Sequence, residues 1–191
     1  MLILIDQDGV LADFDSGFAQ AWLARTGRPA LAAAQRRHFY IQDDYPQAQR
    51  MEVAAILQTP GFYRQLPMMP GAQAAVAALR ARGDEVWICT SDTGTSPALL
   101  CEKLDWIDHH FGQDLRRRTL VSADKTLIRG DWLIDDRPGI AGLYPPTWRH
   151  ILYDQAYNRH IEAPRIDWTA AGFTRLLVLL SEASPPAPLV L

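Results

Sequence analysis

Cysteine and long apolar runs are what this chain has least of. Its 191 residues include two cysteines, Cys89 and Cys101, and neither belongs to a Cys-x-x-Cys pattern. This usage excludes a disulfide framework and predicts a reducing, cytoplasmic setting. The N-terminal apolar run Leu2–Ile5 is too short for a signal peptide, and no run reaches the length of a membrane span, so we expect no membrane partner.

An excess of positive charge is also missing. Lysine and arginine total 19 against 22 acidic residues, which leaves a formal net charge of −3. Proteins that bind duplex nucleic acid usually carry a basic surface that neutralises the phosphates. We therefore expect a small-molecule partner and no nucleic acid.

What the chain does have is a full set of core-forming segments. Apolar residues make up 48% of it, and short apolar runs alternate with helical patterns. Such alternation is typical of a parallel sheet covered by helices on both faces. The sequence thus predicts an α/β protein with a Rossmann-like parallel sheet of about five strands. The predicted strands are Leu2–Ile5, Glu85–Thr90, Thr119–Val121, 132–134 and 150–153, with helices at 72–82 and 97–111.

One segment interrupts this alternation. Between residues 18 and 66 the apolar residues recur at helical spacing, and no buried strand is evident. Helices are expected up to the break at Gly27, then at 30–40 and at 45–57. We therefore predict a discontinuous core formed by residues 1–17 and 67–182, a helical insert at 18–66, and a proline-rich tail at 183–191.

Polar side chains follow the ends of the predicted strands. Because the carboxyl ends of parallel strands share one edge of a sheet, and ligands of such sheets bind beyond that edge, we expect these side chains to meet there. The residues concerned are Asp6, Asp8, Thr90, Ser91, Lys125, Asp135 and Asp136.

Four carboxylates gathered at one edge require a counter-charge. They cannot all stay ionised in a partly dry site unless a cation lies among them. Mg²⁺ fits best because it prefers oxygen ligands, keeps several waters and binds through carboxylates together with a phosphate. The set contains no cysteine or histidine, which argues against zinc.

A pocket of this composition favours phosphoryl transfer. A metal and a lysine offset the charge of the phosphate oxygens, while hydroxyl and backbone N–H groups hold them. One carboxylate can attack phosphorus and pass through an aspartyl-phosphate. A second acid, two residues further on, can protonate the leaving oxygen and later activate water.

The same motifs occur in the same order in the haloacid dehalogenase (HAD) superfamily, and the chain resembles its 5′(3′)-deoxyribonucleotidases. The similarity extends from about residue 2 to about residue 162. It is carried by Asp6-Gln7-Asp8-Gly9-Val10-Leu11-Ala12-Asp13-Phe14, Ile88-Cys89-Thr90-Ser91, Asp124-Lys125-Thr126 and Leu133-Ile134-Asp135-Asp136-Arg137-Pro138.

The resemblance implies roles for the four acids. Asp6 would be the nucleophile and a metal ligand, and Asp8 would be the acid–base group, with its backbone carbonyl on Mg²⁺. Asp135 would complete the metal shell, with Asp136 beside it or acting through water. An acid at the Asp8 position goes with phosphatases and mutases, whereas pump-type ATPases carry threonine there.

The resemblance also implies a phosphate-binding set. Thr90 would bind the transferred phosphate, with Ser91 and Gly9 beside it. Lys125 would neutralise both the phosphate and the nucleophile. For Arg137 two interpretations stay open, since its side chain could reach a phosphate or turn out to solvent.

In that family the insert forms a cap over the base and the sugar of a nucleotide. Phe14 and Phe39 are candidates for stacking on a base, and Tyr40, Phe62 and Tyr63 are further ones. A base–aromatic stack contributes about 1–3 kcal/mol. The alternative is that these aromatic residues simply form the core of the cap.

Two positions depart from the family pattern. Asp92 follows Thr90-Ser91 where relatives often carry proline, and Ala123 stands where they often carry arginine. An added acid and a lost base both alter contacts with the substrate. They bear on the preference for deoxyribonucleotides and leave the acids and the lysine untouched.

The sequence therefore predicts a Mg²⁺-dependent phosphomonoesterase acting on a deoxyribonucleoside monophosphate, and the resemblance suggests a homodimer. One alternative is a phosphatase of the same fold that acts on a sugar phosphate or another small ester. The other, from a different class, is an inactive module that binds a nucleotide or a partner.

Overall fold

A parallel sheet of six strands lies at the centre of the computed structural model, which describes residues 1–92, 94 and 97–182. The strand order across the sheet is β3-β2-β1-β4-β5-β6. This confirms the predicted α/β class, with one strand more than expected; the tail predicted at 183–191 lies outside the described residues. The strands are β1 (Leu2–Ile5), β2 (Glu85–Thr90), β3 (Thr119–Val121), β4 (Trp132–Asp135), β5 (Arg149–Tyr153) and β6 (Arg165–Ile166).

Strand β1 occupies the middle of the sheet because it is apolar throughout. Ile3, Leu4 and Ile5 are completely buried, as expected for a parallel strand that is covered on both faces. Ile5 lies opposite Ile88 of β2 on one side and opposite Ile134 of β4 on the other. The three strands therefore end at the same edge, where the chain also changes its winding direction and leaves a crevice.

Five α-helices accompany the sheet within the residues that the structure describes. The helix predicted to end at residue 111 continues to Arg117, through a kink at Gly112, where φ is 82°. Within the described part of the chain, no helix is long and apolar enough to cross a membrane. The helices are α1 (Phe14–Thr26), α2 (Arg50–Leu57), α3 (Ala72–Ala81), α4 (Leu99–Arg117) and α5 (Ala170–Glu182).

The helix predicted at 30–40 is wrong, since this stretch contains only a 3₁₀ turn at Ala33–Gln35. The Arg36 guanidinium donates to two backbone carbonyl oxygens just after it, at 2.8 and 2.7 Å. The Asp44 carboxylate accepts from two backbone N–H groups of the same stretch. Side chains thus satisfy the backbone groups that a helix would have paired internally.

Two further elements differ from expectation, one in its extent and one because it was not predicted. The helix predicted at 45–57 begins only at Arg50, after a separate 3₁₀ turn at Gln47–Gln49. Strand β6 has only two residues, too few for a period-two pattern to be recognised in a sequence.

The insert is fastened to the rest of the protein at its C-terminal end by Glu102 of α4. This carboxylate is buried and accepts hydrogen bonds from the backbone N–H groups of Gly61, at 2.5 Å, and Tyr63, at 3.2 Å. Apolar residues of the insert, such as Phe18, belong to the same buried cluster as Ile5 of the sheet. The insert therefore packs directly onto the sheet and covers its carboxyl edge.

Candidate active site

The carboxyl edge of the sheet brings the predicted polar residues together. Asp6 directly follows β1, and its backbone N–H donates to the carbonyl oxygen of Ile134 at 2.9 Å, which extends the strand pairing to this residue. Thr90 ends β2 and Asp135 ends β4. Lys125 reaches the same edge from a 3₁₀ turn that follows β3.

Three carboxylates form a cluster at this edge. Asp6, Asp135 and Asp136 each offer an oxygen, and these atoms lie within 4.8 Å of one another. Asp135 and Asp136 are almost wholly buried, with 1% and 3% of their surface exposed. One oxygen of Asp136, Oδ1, is buried without a hydrogen-bond partner among the described residues.

Burial makes ionisation of Asp6 and Asp136 costly. It raises the pKa of Asp6 to about 6, an effect that Lys125 opposes and Asp135 reinforces. Burial also raises the pKa of Asp136 well above its ordinary value, and the charges of Asp135 and Asp6 add to the shift. The cluster therefore favours either bound protons or a cation.

Lys125 is the ammonium group inside the cluster. Its Nζ lies 2.8 Å from Oδ1 of Asp6 and 2.5 Å from Oδ2 of Asp135. Burial disfavours its charge, yet the two carboxylates raise its pKa above the ordinary value for lysine. One ammonium thus bridges the ends of β1 and β4.

Lys103 of α4 is the functional candidate that sequence reasoning missed. Its Nζ lies 2.9 Å from Oδ2 of Asp8 and donates to Oγ1 of Thr90 at 2.9 Å and to the carbonyl oxygen of Ser91 at 2.7 Å. The Asp8 carboxylate, predicted as the acid–base group, thus pairs with this lysine. Thr90 is completely buried and does not line the cavity, whereas Ser91 does.

Lysine usage is the sequence feature that could have revealed this residue. Lys103 and Lys125 are the only two lysines among the 19 basic residues, and every other basic position is arginine. Both lysines are buried and both pair with carboxylates at the sheet edge. In an arginine-rich chain, a rare and compact ammonium group marks positions where a point charge is needed.

Gly9 allows the loop after β1 to approach Asp136. Its φ is 77°, and a Cβ atom at this position would lie 2.0 Å from Oδ2 of Asp136. Any other residue would be strained in this conformation and would collide with the carboxylate. Its carbonyl oxygen accepts from Nε2 of Gln155 at 2.6 Å, so the backbone here is tightly held.

A cavity of about 300 Å³ lies between the acidic cluster and the insert. Phe14, Phe39, Tyr40 and Tyr63 line its upper wall. Phe62 does not line it but packs edge-on against Phe14, with ring centroids 5.8 Å apart. Four of the five aromatic candidates thus face the cavity.

Arg137 lies in the wall of the cavity. Its guanidinium carbon is 5.5 Å from the centre of the Phe39 ring, and its backbone N–H donates to Oδ1 of Asp135 at 2.8 Å. Ala123 also lines the cavity. A basic side chain therefore lines the cavity at position 137 and not at position 123.

The donor set of the cluster fits a hard divalent cation. It consists of carboxylate oxygens alone, and it includes a buried oxygen that lacks a partner. Such oxygens suit Mg²⁺ or Ca²⁺ better than zinc or copper, which prefer nitrogen and sulfur ligands. The arrangement can hold a cation at the part of the cavity that Asp6, Asp135 and Asp136 line.

Comparison with known proteins identifies related chains. Residues 1–177 match the family model described as 5′ nucleotidase, deoxy (pyrimidine), cytosolic type C protein (NT5C). A Bordetella pertussis protein, named provisionally as a 5′(3′)-deoxyribonucleotidase, is 46% identical over 170 residues, or 88% of this chain and 91% of that one.

Two mammalian relatives are more distant. The human cytosolic-type 5′(3′)-deoxyribonucleotidase is 36% identical over 169 residues, covering 85% of this chain and 84% of its own. The mouse mitochondrial 5′(3′)-deoxyribonucleotidase is 37% identical over 166 residues, covering 84% and 76%.

Among solved structures, a HAD family hydrolase from Deinococcus radiodurans R1, with bound phosphate and sodium, shares the fold. It superposes with a TM-score of 0.57 over 97% of this chain and 98% of that one, at 18% identity. This likeness supports the HAD-like arrangement of the core.

The acidic cluster predicts an unusual effect on stability. We expect Asp136→Asn to raise the melting temperature at pH 8 in EDTA by a few degrees, because it removes one of three mutually repelling buried carboxylates. Since the folded-state pKa is raised, ionisation of Asp136 costs stability above that pKa. The cost begins to shrink once the pH falls below the folded-state pKa and is gone only below the ordinary carboxyl pKa of the unfolded chain, so the gain should shrink on acidification.

Thermal denaturation in EDTA from pH 8 to pH 5 measures this effect. Asp108→Asn, which removes a partly exposed surface carboxylate, serves as the control and should change stability by less than about 0.5 kcal/mol. Mg²⁺ should raise the melting temperature of the wild type more than that of Asp136→Asn. A lower melting temperature for Asp136→Asn in EDTA at pH 8 would contradict the electrostatic account.

Proposed function

We propose a nucleotidase reaction for this chain, which belongs to the family of 5′ nucleotidase, deoxy (pyrimidine), cytosolic type C proteins. Family membership confirms the predicted enzyme class, a phosphoric monoester hydrolase of the 5′-nucleotidase type. The specific proposal is Mg²⁺-dependent hydrolysis of a deoxyribonucleoside monophosphate through an aspartyl-phosphate. One observation carries the proposal: Asp6 pairs with Lys125 and belongs to a cluster of carboxylates that can bind a cation, and this cluster lines a cavity with aromatic walls.

In this proposal Asp6 is the nucleophile. Its carboxylate oxygen bonds to phosphorus while the ester bond from phosphorus to the leaving oxygen breaks. Lys125, at 2.8 Å, holds the attacking group and offsets its charge. A Mg²⁺ ion held by Asp6, Asp135 and Asp136 would supply further positive charge to the phosphate oxygens.

Asp8 moves the proton in both halves of the reaction. Protonated Asp8 gives its proton to the leaving oxygen, and its carboxylate then takes a proton from the water that attacks phosphorus. That second step releases phosphate and restores Asp6. Lys103, whose Nζ lies 2.9 Å from Oδ2 of Asp8, holds this carboxylate in position and is itself fixed by donating to Oγ1 of Thr90.

The aromatic wall supports a nucleotide as the substrate. Phe14 and Phe39 line the cavity. An aromatic ring can stack on any of the bases, because every base has a flat face. The names of the human and mouse relatives point the same way. The cytoplasmic location, predicted from cysteine usage, and the homodimer, suggested by the resemblance, both stay predictions.

The nucleophile assignment predicts the effect of Asp6→Asn. The amide cannot form the phosphoryl bond, so we expect kcat to fall by at least about 10³-fold, as loss of a nucleophile commonly does. Circular dichroism would show that the variant is folded. A beryllofluoride adduct on any other residue, or normal turnover by Asp6→Asn, would contradict the assignment.

The assignment of Lys103 predicts a loss of activity that a surface charge on the same helix does not share. Lys103→Met keeps the length of the side chain and removes the ammonium from Asp8, so we expect kcat/KM to fall by about 10²-fold. Arg116→Met is the matched control, because Arg116 pairs with Asp105 at the surface of α4. Equal activities of the two variants would argue against a role for Lys103.

A substrate panel with Mg²⁺ tests the proposed function itself. It should contain purine and pyrimidine, ribo- and deoxyribonucleotides with 3′- and 5′-phosphates, and several sugar phosphates. We expect the highest kcat/KM for a deoxyribonucleoside monophosphate and none after chelation of the metal. Better hydrolysis of sugar phosphates would favour another phosphatase of this fold, and no hydrolysis at all would favour a binding module.

A further inference from the structure

The segment that follows β5 fastens the ends of several strands, although no motif of the sequence marked it. Asn158 is completely buried, and its Nδ2 donates to the carbonyl oxygens of Asp136 and Tyr153, each at 2.8 Å. Gln155 donates to the carbonyl oxygen of Gly9 at 2.6 Å. The backbones of the β1, β4 and β5 ends are therefore tied to one short 3₁₀ turn, Ala156–Asn158.

Tyr157, at the centre of this turn, contacts the acidic cluster through its hydroxyl group. The hydroxyl donates a hydrogen bond to Oδ2 of Asp136. The second oxygen of that carboxylate, Oδ1, is buried and has no partner in the described part of the chain. The bond fixes the rotation of the carboxylate, so that one oxygen is satisfied and the other is left for a cation.

The ring of Tyr157 contacts the insert. The Arg36 guanidinium carbon lies 4.4 Å from the ring centre, and the Phe39 ring lies edge-on at 6.0 Å. Arg36 is 5% exposed and is held by Asp15 at 2.6 Å and by Asp44 at 3.2 Å. Because Arg36 also binds the carbonyl oxygen of Phe39, at 2.7 Å, it sets the position of that part of the cavity wall.

We propose that Tyr157 is a positioning residue that couples the cation site to the substrate wall. Its hydroxyl orients Asp136 for a divalent cation, and its ring supports Arg36 and hence Phe39. Hydrogen bonds from outer groups to metal-binding carboxylates commonly change metal affinity by about 10–100-fold. The inference deepens the proposed function. Only its second part, the support of Phe39 at the substrate wall, rests on that function.

The two halves are separable because they use different parts of one side chain. Tyr157→Phe keeps the ring under Arg36 and removes the hydroxyl. We expect the Kd for Mg²⁺ to rise about 10-fold or more, measured by calorimetry on the free protein without substrate. At saturating Mg²⁺, KM for a deoxyribonucleoside monophosphate should stay within about 2-fold of the wild type, since the stack is intact.

Tyr157→Leu removes the ring as well as the hydroxyl. We expect the loss of Mg²⁺ affinity together with a KM about 10-fold higher for the nucleotide, because a displaced Phe39 loses its stack on the base. KM for glycerol 2-phosphate, which has no base, should change little. If Tyr157→Leu does not fold, Arg36→Lys tests the same wall, because it weakens the bonds that hold Phe39.

Tyr45→Phe is the matched control. Tyr45 is also buried, and its hydroxyl accepts a hydrogen bond from the backbone N–H of Leu31 at 3.0 Å within the insert, away from the cavity. We expect unchanged Mg²⁺ affinity and unchanged KM in this variant. If Tyr45→Phe weakened Mg²⁺ binding as much as Tyr157→Phe does, the effect would be one of general destabilisation, and the proposal would be overturned.

Wild-type Mg²⁺ affinity in Tyr157→Phe would overturn the orienting role, as would absence of Mg²⁺ binding by the wild type. Unchanged nucleotide KM in both Tyr157→Leu and Arg36→Lys would overturn the supporting role. These failures differ from failure of the proposed function, which would appear as absence of nucleotide hydrolysis by the wild type. The calorimetric comparison needs no turnover, so it decides the orienting role in either case.

Discussion

The balance of charge at one edge of the sheet is the constraint on which the rest of this structure depends. Four carboxylates and two ammonium groups gather there, and full ionisation leaves an excess of two negative charges, the charge of one divalent cation. Without a cation, burial raises the pKa of two of the acids, Asp6 and Asp136, and so favours protons on them. A bound cation and carboxylates with raised pKa values are thus two ways to offset the same excess of negative charge. The groups are Asp6, Asp8, Asp135, Asp136, Lys103 and Lys125.

The surrounding architecture holds these charges where they would otherwise repel one another apart. Adjacent residues of α4 act on both sides of the cavity, since Glu102 binds backbone N–H groups of the insert and Lys103 binds Asp8. Arg36 and Tyr157 make a second connection, from the insert to the acidic cluster. The insert is therefore joined to the site by buried polar bonds as well as by apolar packing. Buried networks of this kind specify one arrangement, because each unpaired member would be costly.

The sequence predicted the parts of this structure that local pattern determines. Short apolar runs that alternate with helical patterns defined five of the six strands, and the α/β class followed from them and is confirmed. The predicted helix at 30–40 was wrong because alanine-rich propensity yields to the bonds that Arg36 and Asp44 make with the backbone. Lys103 was missed because its partners, at the ends of β1 and β2, are far apart in the sequence, and because its own position within α4 carries no motif. Contacts that exist only after folding leave little trace in a single sequence.

Whether each basic side chain of the cavity wall is already paired with a carboxylate limits how the site can attract a phosphate. Lys103 and Lys125 are already paired with carboxylates, so they position those groups more than they attract an anion from solution. Arg36 is likewise paired, with Asp15 and Asp44. Arg137 also lines the cavity, and within the described residues its guanidinium has no carboxylate partner. In the proposed reaction, with alanine at position 123, this arginine and a cation held by the acidic cluster would supply most of the long-range attraction of a dianionic phosphate. Paired charges contribute less because they largely cancel beyond the distance that separates them.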